Sequence, residues 1–178
     1  IGLIIGYVVG LIIVKTDGIF FIMITLALGE MFHSWAFTND SLGGSDGISG
    51  IERPKLIGMD LNDPLFFTYY LLIWLILVYT FLATVTDSPL GRNLDAIRQN
   101  SDRVLSLGGT VKLYKSASFG ISAAIASLAG SLYAQLNGFV SPEISHWTLS
   151  GEGLIMIIVG GIGSLSGAIL GAAIVHII

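Results

Sequence analysis

Gly91-Arg92-Asn93-Leu94-Asp95-Ala96-Ile97-Arg98-Gln99-Asn100 is a charged, amphipathic stretch set between two long uncharged runs, Leu65–Thr86 and Ser116–Asn137. Each run has 22 residues without Asp, Glu, Lys or Arg, and as a helix rising 1.5 Å per residue would reach about 33 Å. The hydrocarbon core of a bilayer is about 30 Å thick. The two runs therefore read as membrane spans. The polar stretch between them reads as a helix held at one membrane surface, suited to touching a partner in the adjoining aqueous compartment.

Composition agrees. Of 178 residues, 53% are hydrophobic and 11% charged, where a soluble domain carries about 25% charged residues. A net charge of -4 and the lack of any basic tail argue against nucleic acid as a partner. With no cysteine, disulfides and thiolate chemistry are excluded. The chain opens at Ile1 inside one apolar run and stops at Ile178 inside another, so the expectation is a piece of a longer protein, truncated at both ends.

Five apolar segments can be drawn: Ile1–Val14, Gly18–Phe37, Leu65–Thr86, Ser116–Asn137 and Gly153–Ile178. A closed β-barrel is the other way to span a bilayer, but the alternation over about 10 residues that it needs is missing. The fold class is thus an all-α membrane protein, a polytopic transmembrane helix bundle, with 1–178 forming a single transmembrane domain. Five of the eight basic residues (Arg92, Arg98, Arg103, Lys112 and Lys115) lie in the loop 87–115. Loop 38–64 sets Arg53 and Lys55 against five acids, and 138–152 has no base at all. The positive-inside rule puts 87–115 in the cytoplasm and the other two loops outside; Lys15 then falls in a short cytoplasmic turn.

Within 91–107, Leu94, Ile97, Val104 and Leu105 continue an apolar stripe from Leu90, while Asp95, Gln99 and Asp102 face away. Arg98 and Asp102 have the spacing of an i, i+4 pair, and Gly108-Gly109 supplies a helix stop. Glu30 is the one carboxylate well inside an apolar segment. An acid at mid-bilayer costs about 2.5–3.5 kcal/mol on insertion scales, so such groups face the bundle interior or water. His33 and Ser34 share its face. Two roles stand open for Glu30: a hydrogen bond to a neighbouring helix, or contact with a solute pathway. Glu152, at the mouth of the last segment, favours its helix N-terminus.

The last segment holds Val159-Gly160-Gly161-Ile162-Gly163-Ser164-Leu165-Ser166-Gly167. Each interior glycine costs a helix about 1 kcal/mol relative to alanine, so the cluster marks either close packing or a break. Gly163, Gly167 and Gly171 recur at four-residue spacing, a strip that admits another helix; Ala126, Gly130 and Ala134 make a second. A re-entrant segment lining a pathway is the other reading, with Gly160, Gly161 and Gly163 as pathway candidates. Gly163-Ser164-Leu165-Ser166-Gly167 also fits G-x-S-x-G, the serine hydrolase pattern, which would make Ser166 an intramembrane nucleophile. That motif needs a strand–turn–helix context and a base within about 3 Å. His176 is ten residues further on, about 15 Å along a continuous helix, and His33 and His146 belong nearer the outer surface.

Three blocks resemble the M-type membrane subunit of the branched-chain amino acid ABC importers, whose close relatives serve urea and short amides. They are Gly18 to Glu30 running on to Gly43-Gly44-Ser45-Asp46-Gly47-Ile48; Gly91-Arg92 with Ala96-Ile97-Arg98 and Asn100, closed by Leu107-Gly108; and Leu128 to Ala134 through Ser141-Pro142 to Gly160-Gly161-Ile162-Gly163-Ser164. Leu42, Arg103, Val104 and Ala168 depart from the pattern. The resemblance implies a permease of a bacterial or archaeal plasma membrane that performs no covalent chemistry. Its implied partners are a second homologous permease subunit, two cytoplasmic ATPase subunits that hold ATP and Mg, and an extracytoplasmic solute-binding protein. It makes 87–115 the cytoplasmic coupling loop, with Gly91, Arg92, Asp95, Ala96, Ile97, Arg98, Asn100 and Gly108 as the ATPase-coupling residues. No cofactor or metal is expected in the chain itself. A channel or secondary transporter, with Glu30 as a proton site, is the further alternative.

Overall fold

The structure, a computed structural model, describes residues 1–16, 18–39, 43–51, 53 and 63–177; the readings of Leu42 and Lys55 fall outside them. Eight α-helices are described: α1 (Gly2–Ile13), α2 (Ile19–Thr38), α3 (Pro64–Asp87), α4 (Pro89–Gln99), α5 (Ser101–Ser106), α6 (Val111–Asn137), α7 (Trp147–Gly160) and α8 (Leu165–Ile177). Two short strands, β1 (Ile48–Ser49) and β2 (Phe139–Val140), pair antiparallel. Three helices, α2, α3 and α6, are long and apolar enough to cross a membrane, and α7 with α8 forms a fourth apolar stretch bent by 115°. Their large apolar side chains point outward; on α3 only Phe67 is buried. An apolar exterior of that extent marks a lipid or protein contact surface.

The described residues group into two compact units. The first is Ile1–Ile24 with Ile51–Gly138, the second Thr25–Gly50 with Phe139–Ile178. In the first, α1 runs antiparallel along α6 on glycines. A β-carbon on Gly10 would come 3.2 Å from the Phe119 β-carbon and from the Ser116 α-carbon. One on Gly6 would collide with the Ala123 side chain, and one on Gly2 with Ser127. Gly2, Gly6 and Gly10 thus form a four-residue strip that lets two backbones approach. On the strip Ala126, Gly130 and Ala134, no described residue lies within 4 Å of a β-carbon on Gly130. The face of α6 that meets α1 lies on Ser116, Gly120, Ala123 and Ser127.

Arg53 closes the far end of α6. Its guanidinium donates to the carbonyls of Gln135 and Leu136, each at 3.3 Å, and lies 4.6 Å from the centre of the Phe67 ring. A cation at a helix C-terminus meets the negative end of the helix dipole, and the ring adds cation–π attraction.

In the second unit the strand pair fixes Ile48 opposite Val140 and Ser49 opposite Phe139. Gly47 must be glycine there, since a β-carbon would strike the Val140 carbonyl. The last apolar segment is not one helix. It breaks at Gly161 and Gly163, both at positive φ (96° and 113°), a conformation that costs glycine little. The Ser164 hydroxyl then caps α8 by accepting from the Gly167 amide at 3.2 Å.

Candidate functional site

The coupling segment is built by a sharp elbow. Ser88 precedes Pro89, and a residue before proline is pushed out of the helical region; it sits at φ -73°, ψ 167°. Its hydroxyl donates to the Val85 carbonyl at 2.6 Å, finishing α3, and accepts from the Gly91 amide at 3.5 Å, starting α4. Gly91 lies so close to α3 that a β-carbon would overlap the Thr86 carbonyl. The chain can therefore turn from span to surface helix within two residues.

On α4, Leu90 and Leu94 are half-buried and Ile97 is 7% exposed. Arg92, Asp95, Ala96 and Gln99 are exposed on the opposite face. Asn93 ties the helix down: its amide donates to the Pro89 carbonyl at 2.7 Å and to the Tyr114 hydroxyl of α6 at 3.3 Å. Sequence reading missed this pair, although an Asn four residues after Pro89 on the flank of a stripe was the signal. Beside α4 is a cavity of about 580 Å³ with walls from Leu82, Val85, Leu94, Ile121 and Ile125, and with Arg98 at its edge.

Two details differ from expectation. The helix does not run through 107: Asn100 takes an extended conformation (φ -161°, ψ 104°) and its side chain caps α5 by accepting from the Arg103 amide at 3.0 Å. Asparagine offers the backbone this local alternative to a continued helix. The break turns Leu105 outward, and Leu107 is 83% exposed. Arg98 pairs with Asp95 rather than Asp102, at 3.4 Å, with both side chains about two-thirds exposed. The stop at Gly108-Gly109 forms as drawn: Gly108 has φ 82°, its amide donates to Leu105 and that of Gly109 to Val104, both at 2.9 Å. These are the two crossed bonds of a Schellman ending.

The pathway candidates lie in the second unit. The Glu30 Oε1 is buried and no described residue hydrogen-bonds it. One turn on, His33 stacks on Phe37 at 6.1 Å and meets His146 edge-on at 5.4 Å. His146 also caps α7, its Nδ1 accepting from the Thr148 amide at 3.5 Å. Gly160 and Gly161 end α7. The packing strip in this region is shifted from the one expected: Gly163 is an exposed turn residue, and Gly160 takes its place against Gly167 and Gly171. Ser166 stands in the first turn of α8, after a helix rather than a strand, so the hydrolase context is missing.

The whole chain, residues 1–178, matches the model of the family described as branched-chain amino acid transport system / permease component. The chain belongs to that permease family. It is 30% identical over 191 residues to the high-affinity branched-chain amino acid transport system permease protein LivM of Escherichia coli (strain K12), covering 94% of this chain and 45% of the relative. The Salmonella typhimurium protein of the same name gives 30% over 193 residues, with 95% and 45% covered. A probable branched-chain amino acid transport permease protein LivM of Methanocaldococcus jannaschii is 28% identical over 133 residues, covering 70% and 37%. No solved structure matches. The permease chain thus spans about half the length of the curated relatives, and its three membrane-length helices are those of a polytopic helical membrane protein.

Proposed function

We propose that this chain forms part of the membrane subunit of an ATP-driven importer of branched-chain amino acids. In this reading it works by alternating access with a second permease subunit, two cytoplasmic ATPases and an extracytoplasmic binding protein. The observation that carries the reading is α4, a short surface helix braced by the Ser88 elbow on α3 and by Tyr114 on α6. Its exposed face of Arg92, Asp95, Ala96 and Gln99 is mixed in charge and lacks large aromatics, which suits a protein partner better than a lipid surface. Residues 87–115 would then lie in the cytoplasm. A push on α4 by a closing ATPase passes to α3 through Ser88 and to α6 through Asn93, with α1 following α6 through the glycine strip. The names of the relatives favour amino acids over urea or short amides.

The test is uptake by the full-length permease reconstituted with its ATPases and binding protein. Arg98→Glu turns the ion pair with Asp95 into a like-charge pair, and should lower transport-coupled ATP hydrolysis while the permease inserts and folds normally. Its exposed ion pair contributes only about 0–1 kcal/mol to stability. Normal ATP-dependent uptake by this variant would remove the docking role, and uptake without any ATPase would overturn the assignment.

A further inference from the structure

The second unit is without fixed positive charge. Residues 25–50 and 139–178 contain no Lys or Arg, while their acids are Glu30, Asp40, Asp46, Glu143 and Glu152. Among those in described α-helices, Glu152 stands in the second turn of α7. Glu30 stands in the middle of α2, flanked by Gly29 and Met31. One oxygen of its carboxylate is closed off from solvent and has no hydrogen-bond partner among the described residues. The nearest polar ring, His33, is engaged with Phe37 and His146. Beside it Gly29 opens onto free space, so α2 presents no bulk to a ligand there.

Glu30 is half-buried, with one oxygen shut off from solvent; such an oxygen is stable when it accepts strong donors, and those to a charged acceptor come best from a cation. Within its unit Glu30 has an apolar helix around it and no lysine or arginine to meet. The group that fits is a small cation with several N–H donors and an apolar body, which is an aliphatic amino acid approaching by its ammonium end. We propose that Glu30 receives the α-ammonium group of the transported solute and so selects amino acids over neutral amides. The proposal rests on the importer reading above and names the contact that reading leaves open.

Two measurements test it on the full-length protein. In the reconstituted importer, Glu30→Gln keeps the shape and removes the charge; leucine uptake should fall about tenfold or more, as for the loss of one partner of a buried charge pair. ATP hydrolysis stimulated by the binding protein should persist, and Glu30→Asp should recover part of the uptake. Wild-type uptake by Glu30→Gln overturns the proposal. A wild type that takes up no leucine with ATP refutes the importer reading instead. The second measurement needs neither variant nor ATPase: thermal protection of the wild-type permease in nanodiscs by millimolar ligand. Leucine and leucinamide, which carry the ammonium, should protect, and 4-methylpentanoate, which lacks it, should not. Equal protection by all three, or by none, overturns the ammonium contact. Misassembly of Glu30→Gln without discrimination among the ligands would identify Glu30 as half of a structural ion pair.

Discussion

Gly171→Ala tests the bent pair most sharply. A methyl group there would fall on the Met156 carbonyl oxygen and 2.8 Å from the Gly160 amide nitrogen. Both obstacles are backbone, so no side-chain rotation relieves the overlap, and the arms must part. Overpacking costs about 1–3 kcal/mol, and a backbone obstacle puts this site at the upper end. Alanine returns about 1 kcal/mol in helix propensity. The net loss is about 2 kcal/mol, up to about thirtyfold in the folding constant. Gly153→Ala in α7 is the control, because nothing lies within 4 Å of its added β-carbon; it should gain up to about 1 kcal/mol. Titration of the purified full-length protein with SDS in mixed micelles, followed by tryptophan fluorescence, reads both. If Gly171→Ala unfolds at the same SDS fraction as the wild type, the backbone contact between α7 and α8 is refuted.

Cysteines at Asn100 and Ser45 should label from opposite membrane sides, Asn100 from the cytoplasm; reaction of both with an impermeant reagent added outside intact cells contradicts the orientation. Ile97→Ala should cost about 2–5 kcal/mol, with Leu94→Ala near the low end because Leu94 already borders a cavity. SDS titration of the two variants gives the order, and a larger loss for Leu94 would show that Ile97 does not anchor α4. Ser166→Ala should leave ATP-dependent uptake within about twofold of wild type, since the residue has no strand–turn–helix setting; abolished uptake by a folded variant would revive the serine as a functional group.

The spans α3 and α6 were legible because an uncharged run of that length has few other fates in water or lipid. The elbow was half legible: Pro89 and Gly91 were plain in the sequence, but the approach of Gly91 to the Thr86 carbonyl is tertiary. Asn100 carried its own signal as a capping residue, outweighed in the sequence by the apolar period on both sides. Glycine spacing was the least decisive pattern. The same four-residue interval packs helices at Gly2, Gly6 and Gly10, opens onto space at Gly130, and accompanies a break at Gly161 and Gly163. What separates these cases is the partner surface, which lies over a hundred residues away for Gly2, Gly6 and Gly10. The Glu30 carboxylate was visible as an anomaly, whereas the engagement of His33 with His146 joins two segments that no local pattern connects.

The bend between α7 and α8 also changes how far the chain travels. Their 14 and 13 residues would advance about 40 Å as one straight rod at 1.5 Å per residue. Turned through 115°, the second arm takes back about 8 Å of the first arm's 21 Å along its axis, a net advance of about 13 Å. Hydropathy counts residues, not ångströms. With α7 along the membrane normal, His176 stops at less than half the depth of a bilayer core of about 30 Å. In that orientation the pair enters and turns back without crossing, and counting it as one full span would overcount the crossings by one.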